Sequence, residues 1–262
     1  MDLSLTGKTA IVCGSTQGIG YASAVELALL GANVTLLARN EEKLKTAVAS
    51  LDTQLGQKHQ YRVADFANPD DVKTVVDAYL AEFPEVHLLI NNTGGPAGGP
   101  IIEAKLEEFT KTFAAHLLNN QLLAQAVVPS MKKAGYGRIV NIISTSVKQP
   151  IVGLGVSNTI RGAVAQWAKT LSLELAQFGI TVNNVLPGYT KTARLNATLD
   201  NRAKAQQKSR AEIEAQMQAE IPMGRFVEPE EVGAAVAFLC TPAAAAISGI
   251  NVPVDGGKTG GL

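Results

Sequence analysis

Residues 11–20 read Ile-Val-Cys-Gly-Ser-Thr-Gln-Gly-Ile-Gly. An apolar run ends at Cys13, and glycines follow at 14, 18 and 20. A helical pattern, Ile19–Leu30, continues from there and meets Gly31, a residue suited to closing a helix. The stretch therefore reads as strand, glycine turn and helix. Glycines at such a turn let the backbone bend sharply and come close to a phosphate. The free N–H groups and partial positive charge of the helix N-terminus then attract the anion. Gly14, Ser15, Gln17, Gly18, Ile19 and Gly20 are the candidate pyrophosphate cradle. A glycine triplet also serves tight packing alone, so the rest of the chain must decide.

Outward from this turn the same alternation repeats. Thr9–Cys13, Val34–Ala38, Tyr61–Ala64, Leu88–Ile90, Ile139–Ile143, Thr181–Leu186 and Asn251–Val254 are short apolar runs bounded by turn residues, as expected of parallel strands buried on both faces. Helical patterns lie between them at Glu41–Leu55, from Asn68-Pro69-Asp70-Asp71 onward, Leu106–Lys133 with a bend expected near Pro129, Ser157–Phe178 and Pro229–Leu239. This order predicts an α/β fold, a single doubly wound parallel sheet with helices on both faces. One domain spans 1–262, and the polar helical stretch within about 190–222 reads as a lid over a site.

Composition narrows the function. The chain has 262 residues, is 46% hydrophobic and 18% charged, and balances 23 basic against 23 acidic side chains. A neutral balance gives no electrostatic grip on nucleic acid or anionic lipid. No apolar run reaches the ~18 residues of a membrane helix, and the N-terminus lacks a signal pattern. A soluble, cytoplasmic protein is expected. Cys13 and Cys240 each end an apolar run and read as buried thiols; no metal site is expected.

Further motifs follow in order: Asp65-Phe66 after the third strand, Asn91-Asn92-Thr93-Gly94 after the fourth, Gly137–Ser144 along the fifth, Asn183 and Pro187-Gly188-Tyr189-Thr190-Lys191-Thr192 along and after the sixth, then Ile221–Phe226 and Val254-Asp255-Gly256-Gly257. With the glycine turn, this series resembles the classical short-chain dehydrogenase/reductases, close in layout to 3-oxoacyl-carrier-protein reductases, over essentially the whole chain. The resemblance implies a nicotinamide cofactor touched by Asp65, Phe66, Asn92, Gly94, Pro187, Gly188, Thr190 and Thr192. It also implies a homotetramer or dimer, and a small carbonyl or alcohol substrate. The second strand ends Leu37-Ala38-Arg39 with no acid to bond a ribose 2′-hydroxyl. The Arg39 guanidinium suits a 2′-phosphate, so NADP(H) is expected over NAD(H).

The catalytic half departs from the pattern. The family pairs a serine with a tyrosine, a lysine four residues later, and an asparagine one helix earlier. Ser144 fits the serine. Family spacing lands on Ser157 for the tyrosine, Arg161 for the lysine and His116 for the asparagine, with Asn119 and Asn120 one turn beyond. A serine hydroxyl is far less acidic than a phenol and a ring shorter. Arginine stays charged but can still bond ribose hydroxyls and developing negative charge. An ordinary histidine titrates near neutrality and could feed protons through water. Lys148 and Tyr189 are substitute donors expected to line the cleft. Three readings stay open: an atypical NADP(H)-dependent oxidoreductase, a cofactor-binding sensor without turnover, or a non-redox lyase or isomerase.

Overall fold

The computed structural model describes residues 1–261. Seven parallel strands form one sheet in the order β3-β2-β1-β4-β5-β6-β7. They are β1 Thr9–Cys13, β2 Asn33–Ala38, β3 Gln60–Val63, β4 Leu88–Asn91, β5 Gly137–Ile142, β6 Ile180–Pro187 and β7 Asn251–Val254. The period of two along each strand divides the core. Ala10, Val12, Val34, Leu36, Leu88, Ile90 and Val140 face α1 (Gly18–Leu29), α2 (Glu41–Ala49) and α9 (Pro229–Cys240). Ile11, Cys13, Leu37, Leu89, Ile139 and Val182 face α3 (Pro69–Glu82), α5 (Asn119–Ala134) and α6 (Gly155–Leu175). Strand order reverses between β1 and β4, which opens a crevice beyond their C-terminal ends.

Polar side chains lock the register of the right half of this sheet. Asn91 Nδ2 donates to Asn141 Oδ1 at 2.8 Å, Asn141 Nδ2 to Asn184 Oδ1 at 2.9 Å, and Asn184 Nδ2 to Asn251 Oδ1 at 2.8 Å. The four residues are Cα partners across β4, β5, β6 and β7. A slip of one residue would bury these amides without partners, at a cost of about 1–3 kcal/mol each.

Four helix boundaries differ from expectation. α2 stops at Ala49, because Ser50 caps it and residues 51–59 turn back through Gly56 at φ 81°. The 106–133 helix does not break at Pro129. α4 (Leu106–Phe113) passes into a π-helical turn at Ala114–Leu118, and α5 runs through Pro129 to Ala134. α6 begins two residues before Ser157, at Gly155. The 194–220 stretch is two helices, α7 (Ala193–Gln206) and α8 (Arg210–Ala219). Gln207, with φ 53°, separates them, and Ser209 starts α8 with a reciprocal Ser209–Glu212 cap. Leu195, Leu199, Ile213, Met217, Ile221 and Phe226 form their own apolar cluster.

Candidate active site

The glycine turn is held from behind by Asn92, whose Nδ2 donates to the carbonyls of Cys13 (3.3 Å) and Gly14 (3.1 Å). A methyl group on Gly20 would meet Asn92 Nδ2 at 2.6 Å and also strike the Gly14 carbonyl oxygen; one on Gly14 would meet the Asn92 oxygen at 2.7 Å. Gly14 and Gly18 adopt φ of 57° and 59°, a region that favours glycine. α1 starts at Gln17–Gly18 with no side-chain cap and no acid in its first turn, so its N–H groups stay free for an anion. Ser15 Oγ is fully buried without a partner, as expected of a group that waits for a ligand. Ile19 is half-buried behind the turn, and Gln17 is exposed at its mouth. These features fit a dinucleotide pyrophosphate.

The opposite wall closes onto this turn. Gly188 packs on Asp255, and Thr190 Oγ1 donates to the Gly188 carbonyl at 3.2 Å. Thr192 Cγ2 lies 3.2 Å from where a Gly18 Cβ would stand, so the turn after Pro187 and the glycine loop face each other across the crevice. At the far end Arg39 is exposed, its Nε 3.8 Å from Asp65 Oδ1. Neither group is buried, so the pair is weak and free to rearrange around a phosphate. Phe66 is buried beside them.

At the other end, Ser144 is half-buried and its Oγ accepts from Ser146 N at 3.1 Å. Ser157 sits in the first turn of α6, half-buried, and makes no hydrogen bond through its side chain among the described residues. Arg161, one turn on, is 9% exposed and its Nη1 donates to the Ile142 carbonyl at 2.8 Å. Burial, and then the charge of Arg194, lower its pKa to about 10. His116 occupies the π-helical turn between α4 and α5, an irregularity of a kind often found at functional sites. Asn119 does not take its place. Its Nδ2 is turned away and donates to the Phe66 and Ala115 carbonyls at 2.8 and 3.3 Å.

The expectation that His116 titrates near neutrality is overturned. Burial first, then Arg161, push its pKa down to about 3, and the Gly94 carbonyl offsets only part of this. His116 is therefore a neutral ring in the folded protein. Its folded pKa lies below the unfolded value of about 6.5, so the unfolded chain takes up a proton first as pH falls. The contribution of His116 to stability is fully present above about pH 6.5 and is lost toward pH 3, at up to about 1.4 kcal/mol per unit. Because His87 and Glu231 also have lowered pKa values and remain in both proteins, chemical denaturation of wild type and His116→Asn between pH 4 and 7 should show a steeper loss of stability in the wild type. Equal slopes would refute the assignment.

The two substitute donors fare differently. Lys148 caps the short 3-10 turn Thr145–Val147 and is half-buried beside Ser144. Tyr189 does not face the cleft. Its ring packs edge-on to Phe226 at 6.3 Å in the apolar cluster of α7 and α8, and Arg202 reaches its hydroxyl at 3.4 Å. Both cysteines are buried free thiols, with pKa raised to about 12 by burial. Among the described residues no metal-binding cluster is present, and no helix is long and apolar enough to cross a membrane.

One contributor was missed from sequence. Arg194, in the first turn of α7, reaches back across the crevice and donates to the carbonyls of Gly95 (3.4 Å) and Pro96 (2.6 Å). Its only sequence signal was a basic residue two positions beyond Thr192.

The family model described as enoyl-(acyl carrier protein) reductase matches residues 14–259. A putative ketoacyl reductase of Streptomyces coelicolor is 33% identical over 252 residues, covering 95% of this chain and 96% of the relative. L-Sorbose reductase from Gluconobacter frateurii, solved with NADPH and L-sorbose, superposes with TM-score 0.93 at 30% identity over 100% of both chains. An NAD⁺-bound xylitol dehydrogenase superposes with TM-score 0.88 at 28% identity, covering 96% of this chain and 99% of its own. The chain belongs to the short-chain dehydrogenase/reductase family, with that family's doubly wound parallel sheet.

Proposed function

We propose that this protein is an NADP(H)-dependent oxidoreductase that reduces a small carbonyl compound, or oxidises the matching alcohol, without a tyrosine acid. The observation that carries this reading is the glycine cradle, which no side chain fills and whose Ser15 hydroxyl is buried and unpartnered. Gly14, Ser15, Gly18 and the free start of α1, braced by Asn92, would hold the pyrophosphate, Arg39 a 2′-phosphate, and Arg161, Gly188, Thr190 and Thr192 the nicotinamide end. The cofactor supplies hydride.

The chain's own residues then have three tasks. Ser144 offers its hydroxyl to the substrate oxygen. Arg161 adds a fixed positive charge where negative charge grows on that oxygen, an effect strengthened by burial. The proton comes from water ordered between Ser144 and Ser157, because no phenol stands there and a neutral His116 ring has no extra proton to donate. Lys148 is the remaining ammonium near Ser144. The α7–α8 pair acts as a lid that excludes bulk water. Losing a general acid slows such a reaction by about 10²–10⁴-fold, while positioning and charge stabilisation remain. Titration with NADPH and NADH, followed by single-turnover NADPH oxidation over a carbonyl panel, tests this. Tighter NADPH than NADH binding with measurable oxidation is expected. Tight binding with no oxidation of any carbonyl would favour a sensor instead.

A further inference from the structure

Two guanidinium groups converge at the reacting end of the crevice with no carboxylate to answer them. Arg161 comes from α6, Arg194 from α7, and neither is paired with an acid among the described residues. Their Nη2 atoms lie 3.5 and 3.9 Å from the single point where a Cβ on Gly95 would stand. Any other residue at 95 would fill this gap; glycine leaves it open. Arg161 is nine-tenths buried, and its Nε has no partner. His116 Nε2, also buried, has none either. Burying a charge without a counter-charge is unfavourable, and a second like charge beside it adds to the penalty. A protein keeps such an arrangement when a ligand supplies the missing anion.

We propose that Arg161 and Arg194, with His116 beside them, form a carboxylate subsite, so that the carbonyl substrate is an oxo acid. This rests on the hydride-transfer reading for the identity of the reacting group, but not for the anion itself. The flat guanidinium fork matches a carboxylate edge to edge. The position suits a carboxylate close to the reduced carbon: Arg161 is anchored on Ile142, two residues before Ser144. The cofactor's phosphates belong to the glycine turn and Arg39, not here. A guanidinium has five N–H donors and Arg161 spends one on protein, which leaves donors for ribose hydroxyls as well as the carboxylate. Arg194 holds the first turn of the lid to Gly95 and Pro96, so the subsite forms only where lid and loop meet.

Oxamate, a non-reducible oxo-acid mimic, and its neutral counterpart oxamide decide the matter by calorimetric titration into the NADPH-loaded protein. Oxamate should bind about tenfold or more tighter than oxamide, the gain expected of charge-assisted bonds. Arg194→Ala, an exposed position whose loss leaves the core intact, should remove that preference and leave NADPH affinity unchanged; Arg194→Lys should restore part of it. Equal affinity for the two probes, or a preference that survives Arg194→Ala, overturns the proposal. So does inorganic phosphate that binds more tightly than oxamate. If NADPH fails to bind, the hydride-transfer reading falls by itself. The same two probes titrated into the protein alone then decide the subsite separately.

Discussion

Gly20→Ala should abolish measurable NADPH binding, a loss of about 100-fold or more, and lower stability by about 1–3 kcal/mol. The added methyl would meet the Gly14 carbonyl and stand 2.6 Å from Asn92 Nδ2. Neither obstacle is the loose end of a flexible chain. The Gly14 carbonyl belongs to a backbone at φ 57°, and the Asn92 amide is the bracket that holds the Cys13 and Gly14 carbonyls. To admit the methyl, the turn must open or α1 must retreat, and both moves displace the free N–H groups from the pyrophosphate. Calorimetry with NADPH, beside a melting curve that shows the variant still folded, checks this. Unchanged affinity in a folded Gly20→Ala protein would mean that the cofactor does not lie on this turn.

Much of this arrangement was legible in the sequence for a physical reason. A buried parallel strand needs an apolar run on both faces, and each of the seven runs became a strand whose ends lie within two residues of those expected. The glycines at 14, 18 and 20 announce a close approach because no side chain tolerates it. The departures came from properties that pattern does not carry. Nothing in Phe113–Asn119 distinguishes a π-helical turn from an α-helical one, since the change costs a hydrogen-bond register and no special residue. Gln207 breaks the 194–220 helical stretch in the left-handed region without a glycine to signal it. Tyr189 shares a turn with Thr190 and Thr192, but side-chain direction in a turn depends on the neighbours it finds, here Phe226 and Leu199. The low pKa of His116 is a consequence of burial and of Arg161, both tertiary. Arg194 was hidden in a stretch of mixed charge, and only the closure of α7 over Gly95 gives it a role.

Ser157→Tyr combined with Arg161→Lys should raise the rate of NADPH oxidation with a neutral ketone by about 10²-fold, the low end of what a positioned general acid contributes. Positions 157 and 161 lie one helical turn apart on α6, so their side chains share a face. Ser157 is half-buried with no side-chain hydrogen bond to lose, so a ring added there displaces no polar partner. A lysine ammonium beside the new phenol would pull its pKa below the ordinary value of about 10, as an adjacent positive charge must. The gain should stop short of the upper limit because His116 still stands in the π-helical turn, a neutral ring whose Nε2 has no partner, where a proton relay would need an amide. The double variant also weakens the Arg161–Arg194 pair, so an oxo acid should benefit less than a neutral ketone. Single-turnover traces with both substrates across pH 6–9 separate these effects. A rate that stays flat for every carbonyl, with NADPH binding intact, would mean that the cleft above Ser144 was reshaped for a step other than hydride transfer to a carbonyl.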